Sequence, residues 1–309
     1  MTDPPNATIA ALLDELGDLY ELDGAVVHRV LAYRNAAKAV REAPRSVAAM
    51  TRAGTVTELP GIGRTLEEKL QALLETGTIP AVEKLRARIP PGLVDLTRLP
   101  GLGPKRARRL YDELGIDSLD ALREAAEAGR LRGVRGFGPK FEEAVLAAFA
   151  AGIAEEPAPR ILLSRALPIA EGIVASLRAH PASDRVELAG SARRLADSVK
   201  DLDVIATAGD PPALLRAFAE LDVIEQASFG AEGPQNAARA RTHTGMAVDL
   251  RVVEPDQFGN LLQHFTGSKA HNVALREAAV RRGLHVSEYG VLDDATQTTH
   301  RCATEEEVY

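Results

Sequence analysis

The sequence holds one cysteine, Cys302, in 309 residues. A single thiol makes no intramolecular disulfide and has no CxxC partner with which to hold zinc, which fits a reducing compartment. Long apolar runs are missing as well, since nowhere do about 18 uncharged apolar residues follow one another. The opening MTDPPNATIAALLDELGD has no basic stretch ahead of an apolar one. Neither a membrane span nor a secretory leader is therefore expected, the expected location is cytoplasmic, and the Asn6-Ala7-Thr8 sequon reads as chance. His243, His264, His271, His285 and His300 show no spacing that argues for zinc. An excess of positive charge is lacking too: the formal net charge is −7, which weighs against a nucleic-acid partner until its distribution is counted.

The distribution changes that reading. Residues 1–150 carry 21 Lys+Arg and 21 Asp+Glu, and the remainder carries 16 and 23, so the whole deficit lies in the second half. In the first half Arg98, Lys105, Arg106, Arg108 and Arg109 fall within twelve positions. A local basic face holds phosphates even on an acidic molecule.

Up to residue 150 the chain is a series of amphipathic helical patterns, among them TIAALLDELGDLYEL and AVVHRVLAYRNAAKAVREA, punctuated by Gly and Pro. A pattern recurs within them: ELPGIGRTLEEKL at 58–70, RLPGLGPKRARRL at 98–110 and GVRGFGPKFEEAVL at 133–146. AAGIAEEPAPR (150–160) reads as a linker. Beyond it the texture becomes α/β, with strand-like RVELAG, DLDVIATA, DVIEQASFG and TGMAVDLRVVE, a helical PPALLRAFAEL among them, and a mostly antiparallel or mixed sheet expected. QFGNLLQHF and SKAHNVALREAAVRRG are helical again, LHVSEYGVLDD suggests a hairpin, and TEEEVY reads as a helix cut short, so the native chain is expected to continue.

Each Gly-x-Gly permits positive φ and leaves no side chain between the main chain and whatever approaches it. Feeding a helix, such a turn aims backbone N–H groups outward at the positive end of the helix dipole, and the Lys or Arg that follow add charge-assisted bonds. These contacts fix register on a nucleic-acid backbone without reading its sequence. A single copy reads equally well as an ordinary helical hairpin; three copies match the helix-hairpin-helix module. They make Gly61, Gly63, Gly101, Gly103, Gly136, Gly138, Lys105 and Arg106 candidate DNA contacts.

In the second half, period-two alternation puts Asp201 and Asp203 on one strand face, with β-carbons about 6–7 Å apart. Two like charges there require an offset, and a pair of Mg²⁺ ions is the natural one for displacement at phosphorus. Asp249, flanked by apolar residues in AVDLRVV, is the candidate third ligand. Upstream, Gly190-Ser191 leads a short helix start able to donate to a phosphate, with Arg193 and Arg194 behind it. Gly-Ser followed at this spacing by an Asp-x-Asp strand points to a nucleotidyltransferase.

GSARR, DLD, VDL and HFTGSKAHNVALR, preceded by three hairpins, resemble the family X DNA polymerases in content and order, and the polymerase-beta-like bacterial branch in KDLD and TGSKxHN. The resemblance covers essentially the whole chain. It implies an all-α helix-hairpin-helix N-terminal half, an α/β (α+β) nucleotidyltransferase palm and a small α+β C-terminal subdomain. The expected divisions are 1–88, 89–152, 153–256 and 257–309, the last truncated. No His-rich metal motif follows residue 300, so the nuclease domain usual in that branch is expected to be absent from this chain.

By the resemblance, Asp201 and Asp203 bridge two Mg²⁺ (or Mn²⁺) ions and Asp249 binds the catalytic one beside the primer 3′-hydroxyl. It places Gly190, Ser191 and Arg194 on the triphosphate, Phe265 and Gly267 against the incoming sugar, Asn272 on the incoming base, and Arg276 on the template strand. Lys269 stands within reach of the nucleotide. His28, Arg29 and Tyr33 correspond to residues that stack on the template or line a 5′-phosphate pocket. Lys69 corresponds to a Schiff-base lysine of a 5′-deoxyribose phosphate lyase, a chemistry that needs an uncharged amine. Expected partners are gapped or nicked duplex DNA and a dNTP, with no membrane; Na⁺ or K⁺ at the hairpins and a monomeric, nucleoid-associated bacterial protein complete the expectation. The rivals are a template-independent or RNA-directed nucleotidyltransferase and a non-catalytic DNA-end-binding protein.

Overall fold

The computed structural model describes residues 3–97, 99, 101–151, 160–229 and 236–309. Arg98 of the basic run and most of the expected linker lie outside the described residues. The chain divides into two compact units, one of Met1–Ala43 and Val47–Pro157, the other of Pro44–Ser46 and Ala158–Tyr309.

The first unit is helical: α1 (Asn6–Leu22), α2 (Val27–Glu42), α3 (Val47–Arg52), α4 (Arg64–Thr76), α5 (Pro80–Arg86), α6 (Pro91–Thr97), α7 (Pro104–Leu114), α8 (Leu119–Glu127) and α9 (Pro139–Ala151). In α1 the apolar positions Ile9, Leu13, Leu16 and Leu19 recur at helical spacing and are all buried. They join one continuous core that runs from Ile9 to Val145, so packing is unbroken across the division expected at 88/89. Arg86 adds a bidentate pair to Glu15 at 2.7 and 2.8 Å, an exposed pair worth little beside the apolar burial. Asn6 is buried; its amide donates to Ala43 O at 3.3 Å and accepts from Val47 N at 2.9 Å, joining the ends of α2 and α3.

The second unit comprises β1 (Ile161–Leu162), α10 (Leu163–Arg178), β2 (Ser183–Leu188), α11 (Gly190–Arg193), β3 (Ser198–Val199), β4 (Asp201–Ala208), α12 (Pro211–Ala219), β5 (Ile224–Phe229), β6 (Ala237–Thr242), β7 (Ala247–Val252), α13 (Phe258–Thr266), α14 (Lys269–Val280), β8 (Leu284–Ser287), β9 (Gly290–Asp293) and β10 (Thr298–His300). The main sheet has the order β2-β4-β7-β6-β5. Its β4 and β7 are parallel and its other pairs antiparallel, the mixed sheet expected. Leu202, Val204 and Ala206 of β4 pack with α10 and α12 side chains on one face. On the other, Ile205 meets Phe258, Leu261 and Leu262 of α13, and Asp201, Asp203 and Asp249 near the starts of β4 and β7 stay partly exposed. A three-stranded sheet, β10-β9-β8, closes the C-terminal part.

Leu195, which ends α11, has φ +56° and is 66 % exposed. A left-handed Leu costs about 1 kcal/mol over Gly, and its exposure returns little. Leu195→Gly is expected to raise the melting temperature of the second unit by about 2–4 °C, read by calorimetry; an unchanged or lower value would remove the strain assigned to this residue.

Candidate active site and nucleic-acid interface

The parallel pairing of β4 with β7 sets Asp203 directly opposite Asp249, with Asp201 two residues before. Neighbouring strands lie about 4.8 Å apart, so three carboxylates share one open face. Burial, and then the charges of Asp201 and Asp249, push Asp203 up from 3.8 to about 6, while Arg251 and Arg194 pull the other way. Arg239 of β6, opposite Asp249 in register, donates Nε to its Oδ1 at 2.8 Å. Among the described residues no three His, Cys, Asp or Glu side chains are gathered closely enough to hold an ion as they stand; Asp249 is engaged with Arg239.

The turn into α11 is built onto this cluster. Ala189 N donates to Asp203 O at 2.8 Å, and Gly190 follows with φ +67°, where a Cβ would lie 2.2 Å from Asp203 Oδ2. Only glycine fits both constraints. Arg194 donates to Thr266 O, and Arg193 donates to Thr266 Oγ1 at 3.0 Å and to both Glu305 oxygens at 2.7 and 2.6 Å. Ser191, Arg194, Phe265 and Gly267 are thereby brought to one region of the unit. The guanidinium of Arg251 lies 4.6 Å from the Phe265 ring centre.

At the α13–α14 turn a Cβ on Gly267 would sit 2.2 Å from Asn272 Oδ1. The Asn272 amide is engaged at both ends, accepting from Gln263 Nε2 at 3.0 Å and donating to His264 O at 2.8 Å. Arg276 donates to His264 Nδ1 at 3.2 Å, and burial lowers the pKa of that imidazole. Lys269 is exposed at the start of α14, whose N-cap Ser268 accepts from His271 N at 3.2 Å.

In the first unit the three Gly-x-Gly turns repeat one geometry. Gly61, Gly101 and Gly136 have φ +80°, +78° and +92°. The residues between the glycines, Ile62, Leu102 and Phe137, are buried, and each donates its N–H to a carbonyl three residues back at 3.0–3.1 Å. A Cβ on Gly63, Gly103 or Gly138 would meet nothing within 4 Å. The second glycine of each turn is therefore not demanded by the protein's own packing, and the open space lies at a helix N-terminus suited to an anion.

Two residues expected to contact DNA are engaged within the protein. Tyr33 is 7 % exposed and stacks on Tyr20 at 5.2 Å, with burial and then the charge of Tyr20 pushing its pKa up to about 12. It is a core residue, whereas His28 and Arg29 on the same helix are exposed. Arg106 is committed within the protein: it donates to Gly101 O at 2.6 Å and Gly136 O at 3.0 Å, so it is not a free cation facing solvent as Lys105 is. Lys69 lies half-buried on α4 just before the buried Leu70. Arg239 and Arg251, both close to the acid cluster, escaped the sequence reading; the alternation Ala238, Arg239, Ala240, Arg241 was the only signal for β6.

One unit holds a palm-like mixed sheet with three aspartates on one face, and the other is all-helical with three helix-hairpin-helix turns. The chain belongs to the family X DNA polymerases, polymerase-beta-like and of the bacterial branch. Residues 4–79 match the family model described as helix-hairpin-helix domain, 93–151 the SAM-like helix-hairpin-helix tandem, and 261–309 the DNA polymerase beta thumb. The chain is 34 % identical over 301 residues to the DNA polymerase/3′-5′ exonuclease PolX of Bacillus subtilis (strain 168), covering 97 % of this chain and 52 % of that protein. It is 25 % identical over 302 residues to DNA polymerase lambda of Rattus norvegicus, covering 93 % and 49 %. The chain spans about half the length of the curated relatives it matches.

Proposed function

We propose that the chain is a template-directed DNA polymerase that fills short gaps during DNA repair, taking gapped or nicked duplex DNA and a dNTP. The carrying observation is the set of three carboxylates on one open sheet face, with the Gly190 turn bonded directly to the backbone of Asp203. The donor set fits two Mg²⁺ (or Mn²⁺) ions: all ligands are hard carboxylate oxygens, and the burial and, after it, the mutual repulsion that raise Asp203 are what a divalent cation offsets. Bound metal supplies a lowered pKa at the primer 3′-hydroxyl and neutralises charge at the transferring phosphoryl group.

Asp201 and Asp203 would hold both ions and Asp249 the one on the primer side, once it leaves Arg239. The backbone N–H groups of the Gly190-Ser191 turn, with the Ser191 hydroxyl and Arg194, orient the triphosphate; Phe265 and Gly267 offer the sugar a flat, close wall. Lys269 reaches the phosphates or base, and Arg276 the template. Asn272 reads the base only on giving up its bonds to Gln263 or His264. His28, Arg29 and the three hairpins hold the DNA backbone, which is why positioning carries most of the rate. Extension of a primer across a short gap, with and without a downstream 5′-phosphate, tests this reading: stimulation by the 5′-phosphate and obedience to the template support it, while untemplated addition or DNA binding alone would favour the rivals.

Lys69 supports a second activity, removal of a 5′-deoxyribose phosphate. It stands eight residues after Gly61 on the helix fed by the first hairpin, half-buried, with the exposed Arg64 at the start of that helix. Its amine would condense with the sugar aldehyde, losing water, and β-elimination would then break the C3′–O bond and release the DNA phosphate. Borohydride reduction on incised abasic DNA is expected to trap the wild type and leave Lys69→Ala at least about tenfold weaker, as loss of the sole attacking amine requires. An undiminished adduct in the variant would reassign the nucleophile, and no adduct in either would leave Lys69 outside lyase chemistry.

A further inference from the structure

We propose that Arg106 touches no phosphate and instead fixes the separation of the second and third Gly-x-Gly turns, so that the two grip duplex DNA as one clamp. The inference rests on the DNA-binding reading above. One guanidinium reaches both turns, donating through Nη1 to Gly101 O at 2.6 Å and through Nη2 to Gly136 O at 3.0 Å. The two acceptors are the equivalent first glycines of their repeats. The guanidinium centre also lies 4.5 Å from the Phe137 ring centre and 4.3 Å from that of Phe141, a cation–π contact to both rings made while its fork holds both carbonyls, for which an ammonium has no fixed fork. One helical turn further along α7, Arg109 repeats the tie by donating to Arg135 O at 3.0 Å.

With both carbonyls held inward on one planar group, the open sides at Gly103 and Gly138 keep a fixed spacing. Once one turn has met a phosphate, the other is already placed against its own, and the second contact becomes intramolecular. The third turn, whose Arg135 and Lys140 are exposed, then adds to affinity only while the tie is intact. Arg106 is thus a positioning residue, and its loss should cost more phosphate contacts than its own charge.

Binding of gapped duplex across a salt series separates the two roles, because each phosphate contact contributes about 0.9 to the slope of log K against log salt. For Arg106→Ala the clamp predicts a slope shallower by about 2 or more and affinity lower by about ten- to a hundredfold. Arg106→Lys, which keeps the charge but not the planar fork that reaches both carbonyls, should behave like Arg106→Ala. Phe141→Leu alters no charge and should also flatten the slope, which keeps the proposal testable if Arg106→Ala fails to fold. Lys140→Ala should weaken the wild type yet add less than twofold on top of Arg106→Lys. Binding by Arg106→Lys at the wild-type level, together with an unaffected Phe141→Leu, would overturn the clamp and return Arg106 to a direct phosphate contact. If the wild type itself bound gapped duplex without salt dependence, the DNA-binding reading would fall and the clamp with it.

Discussion

Asp201→Asn, Asp203→Asn and Asp249→Asn are each expected to reduce nucleotide addition under magnesium to below a few per cent of the wild-type rate while DNA binding persists. Each exchange keeps the shape of the side chain and removes the anionic oxygen that a hard cation requires. The three positions are equivalent in this respect because the register of β4 on β7 brings them to one face. A structural role would show differently. Asp203 titrates near 6 in the fold against 3.8 for a free carboxyl, and a raised folded-state pKa means that its charge opposes folding above that pH. Asp203→Asn should therefore be no less stable than the wild type at pH 8. Rate surviving in any one variant would remove that residue from the metal set, and lost stability at pH 8 would mean that the carboxylate supports the fold.

Gly190→Ala should be nearly as damaging although it removes no functional group. The added methyl would fall 2.2 Å from Asp203 Oδ2 and 3.2 Å from its Cγ, in a backbone conformation at φ +67° that alanine adopts at a cost of about 1 kcal/mol. Relief comes by moving the Asp203 carboxylate or the α11 turn, and a displacement of about 1 Å at reacting groups costs about a hundredfold in rate. Gly267→Ala meets an equally short contact at Asn272 Oδ1. There the backbone is at φ −58°, which alanine adopts without strain, and the displaced group is not one of the three carboxylates, so a smaller loss follows. Single-turnover addition by the two variants checks the order; Gly190→Ala at the wild-type rate would separate this turn from the acid cluster.

The parts of this arrangement visible in the sequence are those whose physics is local. DLDVIATA reads as a strand with two acids on one face and is β4 over the same residues; the Gly-x-Gly repeats read as turns into helices and adopt them three times. What escaped depends on partners distant in sequence. AARART is poor in β-branched residues, and β6 forms because β5 and β7 pair with it on both sides. Arg106 sits in a basic run that reads as a phosphate-binding face, yet its main partners lie some thirty residues on, at Gly136 and the two phenylalanines. Tyr33 lies beside the exposed His28 and Arg29 on a helix, and only the stacking of Tyr20 from α1 shows that it belongs to the core. That Asp201, Asp203 and Asp249 share a sheet face was legible because period-two alternation and two apolar-flanked strands are local signals. The present pairing of Asp249 with Arg239 was not.

The most direct test is single-nucleotide addition on a duplex with a one-nucleotide gap, with magnesium and each dNTP supplied separately against each of the four template bases. The account predicts that the complementary nucleotide is added in every case, that mismatched ones are added far more slowly, and that Asp249→Asn adds none. Equal addition of all four nucleotides whatever the template, or no addition with either magnesium or manganese by a wild type that still binds the gapped duplex, would contradict it.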